Sequence, residues 1–307
     1  MKRETLLAML VVGGIILGQG ILAQGVKIGI SPTTFELTSN PGDLIINQLK
    51  VYNASEDSSI GIIIEIEDIA PRGEIGHVVV EPAETETYSL ARWVKVEPKE
   101  FTLEPKSQQF VTFTISVPEN AEPGGHYGTI LATTRFITGP EMTGTTIAQR
   151  IGALVLLSVS GEVNEELVVK DFSAPDYSEY GPISFLIRFE NKGTIHVKPR
   201  GFVTITDWLG NKVADVEFPQ RNVLPNAVRK IEVSWDKKWL WAGKYTATLN
   251  GSYGMANTPF STAVITFWAF PWKAGLVIWA FVVLLILSRK RWIAAFKILL
   301  KGEKAMK

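Results

Sequence analysis

From residue 26 onward the chain alternates apolar and polar residues with a period of two. That is the spacing at which a strand sends successive side chains to opposite faces. Residues 26–30 alternate and stop at Ser31 and Pro32. Residues 34–38 alternate and stop at 39–43, where Pro41 presets one backbone angle and Gly42 supplies a positive one. Residues 44–52 form the next run and end in the polar stretch 53–59. The β-branched run 60–67 suits a strand and nothing else. Runs at 93–96, 100–103 and 109–117 continue the pattern. In the last of these Phe110, Thr112, Thr114 and Ser116 take one face and Val111, Phe113, Ile115 and Val117 the other. Residues 127–136 and 148–159 follow, and 138–145 between them reads as a mobile hairpin loop. Residues 69–91, richer in Pro, Gly, Glu and Thr, read as a long irregular connection.

A second set opens at 166–172 and continues through 183–189, 201–207, 228–235, 243–249 and 262–267. Tight turns are expected at 191–193 and at 209–212, where Gly and Asn supply the dihedrals that a hairpin needs. Strands every 8–15 residues with turn signals between them predict an all-β chain: two immunoglobulin-like β-sandwich domains in tandem, at 25–163 and 164–268, followed by one transmembrane helix.

The period changes at both ends. Residues 268–287 contain one charge, Lys273. A bilayer core takes about 20 mostly apolar residues of helix, which predicts a transmembrane helix over 269–288. Pro271 falls near the helix start, where its missing N–H costs nothing. Trp268 and Trp272 suit one membrane interface, and Lys273 snorkels to the same side. Arg289, Lys290 and Arg291 mark the cytoplasmic side. In the basic tail, 289–307, the residues Trp292, Ile293, Phe296, Leu299 and Leu300 fall on one helical face and Lys297, Lys301 and Lys304 on another. This is a short amphipathic helix suited to an anionic inner leaflet. At the other end, Lys2 and Arg3, the apolar run 6–17 and the small residues up to Ala23 read as a signal peptide over 1–24, cleaved after Gly20 or Ala23 or kept as an anchor. The expected location is the cell membrane, single-pass, with domain 25–163 outermost, domain 164–268 beside the bilayer and the C-terminus cytoplasmic.

Charge sharpens the division. Lys plus Arg and Asp plus Glu are 31 each over the chain. Residues 25–270 carry 21 basic and 29 acidic groups, a net −8, while 289–307 carry seven basic groups against Glu303, a net +6. An acidic exported part argues against nucleic acid as a partner, because phosphate binding needs a basic patch. The chain has no cysteine, so no disulfide supports the exported part and thiol chemistry and Cys-based zinc sites are excluded.

Little else points to chemistry. His77, His126 and His196 stand alone, without metal-ligand spacing, and no nucleophile or phosphate-loop motif occurs. Glu65 and Glu67 alternate as on a solvated strand face. Glu56 and Asp57 lack the spaced oxygens of a calcium loop. No catalytic, cofactor-binding or metal residue is expected, and no cofactor. Three aromatics remain as partner-binding candidates: Tyr127 after Gly124 and Gly125, and Trp239 and Trp241 in the cluster that begins at Trp235. Trp235 suits a core, Tyr127 suits packing more than ligand contact, and Trp239 and Trp241 suit a membrane surface or domain edge more than a binding platform.

Several short segments carry a resemblance. Asn40-Pro-Gly-Asp43, Leu49-Lys-Val-Tyr-Asn53, Val117-Pro118 and Glu122-Pro-Gly-Gly-His-Tyr-Gly128 resemble the N-terminal domain of the WxL-interacting cell-surface proteins. Phe189-Glu-Asn-Lys-Gly-Thr-Ile-His196, Trp208-Leu-Gly-Asn211, Val223-Leu-Pro225 and Ala242-Gly-Lys-Tyr245 are similar to the Ig-like domain that follows it there. The order of signal, two β-domains, membrane helix and basic tail matches too. The resemblance implies a bacterial surface protein that binds peptidoglycan or another surface partner, and it implies no site residue. The expected function is therefore non-enzymatic: adhesion or scaffolding through a surface or envelope protein, peptidoglycan or both. The alternative is a membrane-tethered chaperone or accessory subunit for assembly of an exported structure.

Overall fold

The computed structural model describes residues 27–80, 89–135 and 148–304. The expected signal peptide at 1–24 and the 138–145 loop lie outside the described residues, as does the Arg291 side chain. The fold is all-β with one C-terminal apolar helix.

In the first half, β1 (Ile28–Ser31), β3 (Leu44–Asn53), β8 (Gln108–Ser116) and β6 (Val94–Glu97) form a four-stranded sheet in that order. A larger sheet runs β2 (Thr34–Ser39), β10 (Arg150–Val159), β9 (Gly124–Arg135), β4 (Ile60–Arg72) and β5 (His77–Val80), with β7 (Glu100–Leu103) also on β4. The strand β2 lies parallel to β10, so the chain changes sheet between β1 and β2. Alternation decides the core. Leu49, Val51, Val111, Phe113 and Ile115 point inward from the smaller sheet and meet Ile62, Ile130, Val155 and Leu157 from the larger.

The second half repeats the plan. A three-stranded sheet runs β11 (Leu167–Ser173), β13 (Ile183–Asn191) and β16 (Val228–Trp235). The larger sheet runs β12 (Tyr177–Ser178), β19 (Ala263–Ala269), β17 (Gly243–Tyr253), β14 (Arg200–Thr206) and β15 (Lys212–Glu217), with β18 (Thr258–Pro259) on β17. Its separate core is aromatic. Phe185 and Tyr245 both pack against Phe267, Trp235 packs on Tyr245, and Phe189 meets Phe218 and Phe260.

One device recurs in both halves. Asn53 ends β3 and Asn191 ends β13, and both are buried. The Asn53 amide donates to the carbonyls of Ser58, Leu103 and Glu104, while its Oδ1 accepts the Ser55 N–H at 2.9 Å. The Asn191 amide donates to the carbonyls of Ile195 and Val223 at 2.8 Å each, and its Oδ1 accepts the Gly193 N–H. A short side chain with both donors and an acceptor satisfies a turn that leaves the sheet and has no ladder partner.

Two expectations change. Residues 69–91 are not one irregular connection. The strand β4 continues to Arg72 and turns through Gly73 and Gly76, both at positive φ, into β5. This hairpin reads as irregular because its apolar residues Ile69 and Val78 pack in a small cluster with Leu224 of the second half, away from the main core. The helix is also not divided after residue 288. It runs unbroken as α1 (Trp272–Lys304). No glycine or proline occurs between Leu287 and Lys301, and the Ser288 hydroxyl donates back to the Leu284 carbonyl at 2.6 Å, within the helix.

Candidate binding cleft and helix-bearing base

The two halves meet along a polar seam. The β4–β5 turn pushes Glu74 against β13, where its carboxylate takes a two-point contact from Arg188: Nε donates at 2.8 Å and Nη2 pairs with the other oxygen. The fork of a guanidinium matches a carboxylate in this way. Arg188 holds the Glu74 pKa below its ordinary value, and Glu74 raises that of Arg188. The Glu74 carbonyl also accepts the Lys230 N–H at 2.6 Å.

A second arm runs through Glu36 on β2. Lys198 donates to both of its oxygens, at 2.8 and 2.9 Å, and Asn222 donates to one at 2.8 Å. The Lys198 hydrogen bond is the main reason that the Glu36 pKa is lowered. Between the arms, the Tyr127 hydroxyl on β9 meets His196 of the second half, and the Thr194 carbonyl accepts the Gly125 N–H at 3.1 Å. Burial pushes the His196 pKa down.

These contacts frame a cleft of about 370 Å³. Its walls include Pro71, Val78 and Leu154 from the first half and Leu224, Arg221 and Arg229 from the second. Arg229 lies over Gly76, where an added Cβ would fall 1.2 Å from Nη1. A side chain at 76 would have to displace the guanidinium, and the positive φ of Gly76 favours glycine. The Nε of Arg229 and the Oδ1 of Asn222 are buried without a hydrogen-bond partner among the described residues. Burial, and next to it the charge of Arg221, lowers the Arg229 pKa. A wall that sets the guanidinium groups of Arg221 and Arg229 and the amide of Asn222 over apolar side chains suits a polypeptide segment that brings carbonyl or carboxylate oxygens. A second cleft of about 640 Å³ opens on the other side of the Glu36–Lys198 pair, past Val163 and Met255. Among the described residues no group of three or more His, Asp or Glu is placed to hold a metal ion.

The candidate aromatics separate. Tyr127 is 3% exposed and packs against Ile69 and Leu156, so it belongs to the seam and offers no free ring. Trp239 and Trp241 are 72% and 81% exposed. They lie at the end of the second half where the helix leaves, with Trp239 edge-on to Tyr180 at 5.4 Å and the Trp241 carbonyl accepting the Tyr245 hydroxyl. Trp272 and Lys273 open α1. The Lys273 N–H donates to Glu179 Oε1, and its ammonium pairs with Oε2 at 2.8 Å. A carboxylate at a helix start satisfies an orphan N–H and suits the dipole. Arg289 and Lys290 follow the apolar stretch on the same helix, and Trp272–Lys290 is long and apolar enough to cross a membrane. Glu74, Arg188, Arg229 and Glu179 went unmarked in the sequence. The two glycines that flank Glu74 signalled its turn, and nothing local signalled its partner.

No protein-family model matches the chain, and no curated protein does. Among solved structures, the chain is similar to one from the chaperone–tip adhesin complex of CFA/I fimbriae biogenesis, at 14% identity and a TM-score of 0.39, covering 78% of this chain and 98% of that one. It is similar to the periplasmic chaperone SfaE at 12% identity and a TM-score of 0.37, covering 80% of this chain and all of that one. It is similar, too, to the Pseudomonas aeruginosa CupB2 chaperone at 10% identity and a TM-score of 0.36, covering 78% of this chain and all of that one.

Proposed function

We propose that the chain is a non-enzymatic, membrane-tethered accessory protein that holds a segment of an exported or surface protein between two immunoglobulin-like β-sandwiches. The sandwiches are 25–163 and 164–268. Residues 269–288 cross the cell membrane, the tail 289–307 is cytoplasmic and 1–24 direct export. The observation that carries the reading is the cleft. Its apolar floor of Val78, Leu154 and Leu224, edged by Arg221, Arg229 and Asn222, suits a partner that offers apolar side chains and backbone or carboxylate oxygens.

A second reading, adhesion to a surface protein or to peptidoglycan, has its own support. Leu44, Ile46 and Phe110 are exposed on the face of the β3–β8 pair opposite the core. Leu44 and Ile46 adjoin on that face, with Phe110 beyond the Gln48–Thr112 pair, and adjoining exposed apolar residues mark contact surfaces.

The absence of cysteine makes a direct test simple. Gln220→Cys at the cleft edge and Asp57→Cys, each carrying a photo-crosslinker, are introduced into the full chain in its own membrane. The cleft position is expected to capture one exported protein that the remote position does not, with capture lost on adding Arg229→Glu. Sedimentation with isolated cell walls, abolished by digesting the polymer and without any such adduct, would favour the adhesion reading instead.

A further inference from the structure

We infer that the helix-bearing end of the second half is itself a lipid-contact surface, seated in the headgroup region of the bilayer; the inference rests on α1 crossing that bilayer. The motivating feature is a rim of exposed aromatics around the point where the helix leaves: Trp208, Trp239, Trp241, Trp268, Phe270 and Trp272. They come from three separate stretches of the sequence, and the fold gathers them. The Trp208 ring covers Gly243, where an added Cβ would fall 2.6 Å from its Cδ1. Gly243 is paired with Ala269 at the end of the last strand. Trp239 packs on Tyr180, next to the Glu179 that caps the helix.

The depth of this rim is fixed by the chain. Two residues, Phe270 and Pro271, separate β19 from α1, and the apolar span begins at Trp272, the first residue of the helix. A helix rises about 1.5 Å per residue, so no spacer exists that would lift the body clear of the headgroups. Nor is the junction loose. The Ser178 carbonyl accepts the Phe270 N–H at 3.1 Å, the Tyr177 hydroxyl donates to the Phe270 carbonyl at 2.6 Å, and Glu179 holds Lys273 at two points. The helix and the rim therefore enter the membrane as one piece.

The chemistry of the rim matches that depth. Indole has an apolar body and a polar N–H, and tryptophan concentrates at membrane–water interfaces for that reason. Lys237, Lys238 and Lys244 are exposed beside the aromatics, where their ammonium groups meet anionic headgroups. The exposed aromatic area on one end of the body and the continuity of that end with the helix together favour lipid over a protein partner.

The test uses the full chain in vesicles of phosphatidylcholine and phosphatidylglycerol. Single cysteines, each carrying an environment-sensitive fluorophore, replace Leu209 and Lys238 on the rim, so that every tryptophan stays. Two reference positions are Val282→Cys within the helix and Ile46→Cys on the first half. Nitroxide lipids near the headgroup are expected to quench the labels at 209 and 238 severalfold more than the label at 46. Lipids with a nitroxide near the bilayer centre are expected to quench the label at 282. Replacing Trp208, Trp239 and Trp241 together by Ser is expected to reduce quenching at 209 and 238 while leaving 282 unchanged. Strong quenching at 282 with 209 and 238 no more quenched than 46 would overturn the lipid-contact surface and leave the membrane helix standing. No quenching at 282 would overturn the membrane helix itself, and the surface with it.

Discussion

The Tyr127 hydroxyl accepts the backbone N–H of His196 at 2.8 Å and lies 3.3 Å from the Nδ1 of the same residue. Having accepted the N–H, the hydroxyl still has its own proton to donate to Nδ1, so one side chain of the first half serves two atoms of the second. The rings meet edge-on at 5.6 Å. Tyr127→Phe keeps the ring and removes the oxygen, which leaves a part-buried N–H without its partner. Such a loss costs about 1–3 kcal/mol. The variant is expected to unfold at lower temperature and to show faster amide exchange over 194–198. Unchanged exchange there would show that the hydroxyl does not hold the seam.

Asn191 offers a larger effect confined to the second half. Asn191→Ala removes two donors from the Ile195 and Val223 carbonyls and the acceptor of the Gly193 N–H, all in a buried corner. The expected loss is about 2–3 kcal/mol, read as a lower denaturant midpoint of the transition that exposes Trp235. Asn53→Ala is expected to do the same to the first half. A change of a few tenths of a kcal/mol in both would mean that the corners find other partners.

The seam is expected to weaken in acid. Burial holds the His196 imidazole below its ordinary value. The unfolded chain therefore takes up a proton near the ordinary histidine value of about 6.5, where the folded chain does not. That contribution is complete above this value and is lost as pH falls towards the lowered folded value. Glu36 is held low chiefly by Lys198. Its contribution is present above the ordinary glutamate value and is lost as pH falls through the folded one. Both losses run in the same direction. The thermal midpoint is expected to fall from about pH 7.5 to about pH 5, and further below that. His196→Phe is expected to flatten the upper part of the curve. A midpoint that does not move across this range would refute the linkage.

Glu179 ties the helix to the body. Glu179→Ala removes the acceptor of the Lys273 N–H and the partner of its ammonium. The two sheet pairs and their cores do not depend on it, so the unfolding free energy is expected to stay within about 0.5 kcal/mol of the parent. The angle between helix and body is expected to broaden, measured as a wider spread of distances between spin labels at positions 46 and 282 of the full chain. An unchanged distribution would place the rigidity of the junction in the Tyr177 and Ser178 contacts alone.

Much of the fold was legible along the chain. The inward set on β8, Val111, Phe113 and Ile115, follows from alternation alone, and the burial of Trp235 agrees with its expected place. The apolar span is visible in the same direct way: the sequence places it at 269–288, and the helix carries it at 272–290. Periodicity fails at the hairpin that ends in β5. Its apolar residues are covered by the other half, and the alternation within 69–80 carries no mark of which surface will do the covering.

What the sequence determined by itself is local: strand or helix, the inward face of each strand, turns at Gly and Asn, and an uncharged span bounded by basic residues. Period and dihedral preference act over a few residues, so a few residues suffice to reveal them. Tertiary structure alone decided the rest. Glu74 and Arg188 meet across 114 residues, and Lys273 finds Glu179 across 94. It also set Tyr127 as a buried strut of the seam, buried Arg229 Nε without a partner among the described residues, and gathered scattered tryptophans at one end. A charge or a ring has no local signature of its partner, because that partner is set by where two separately formed sheet pairs come to rest on each other.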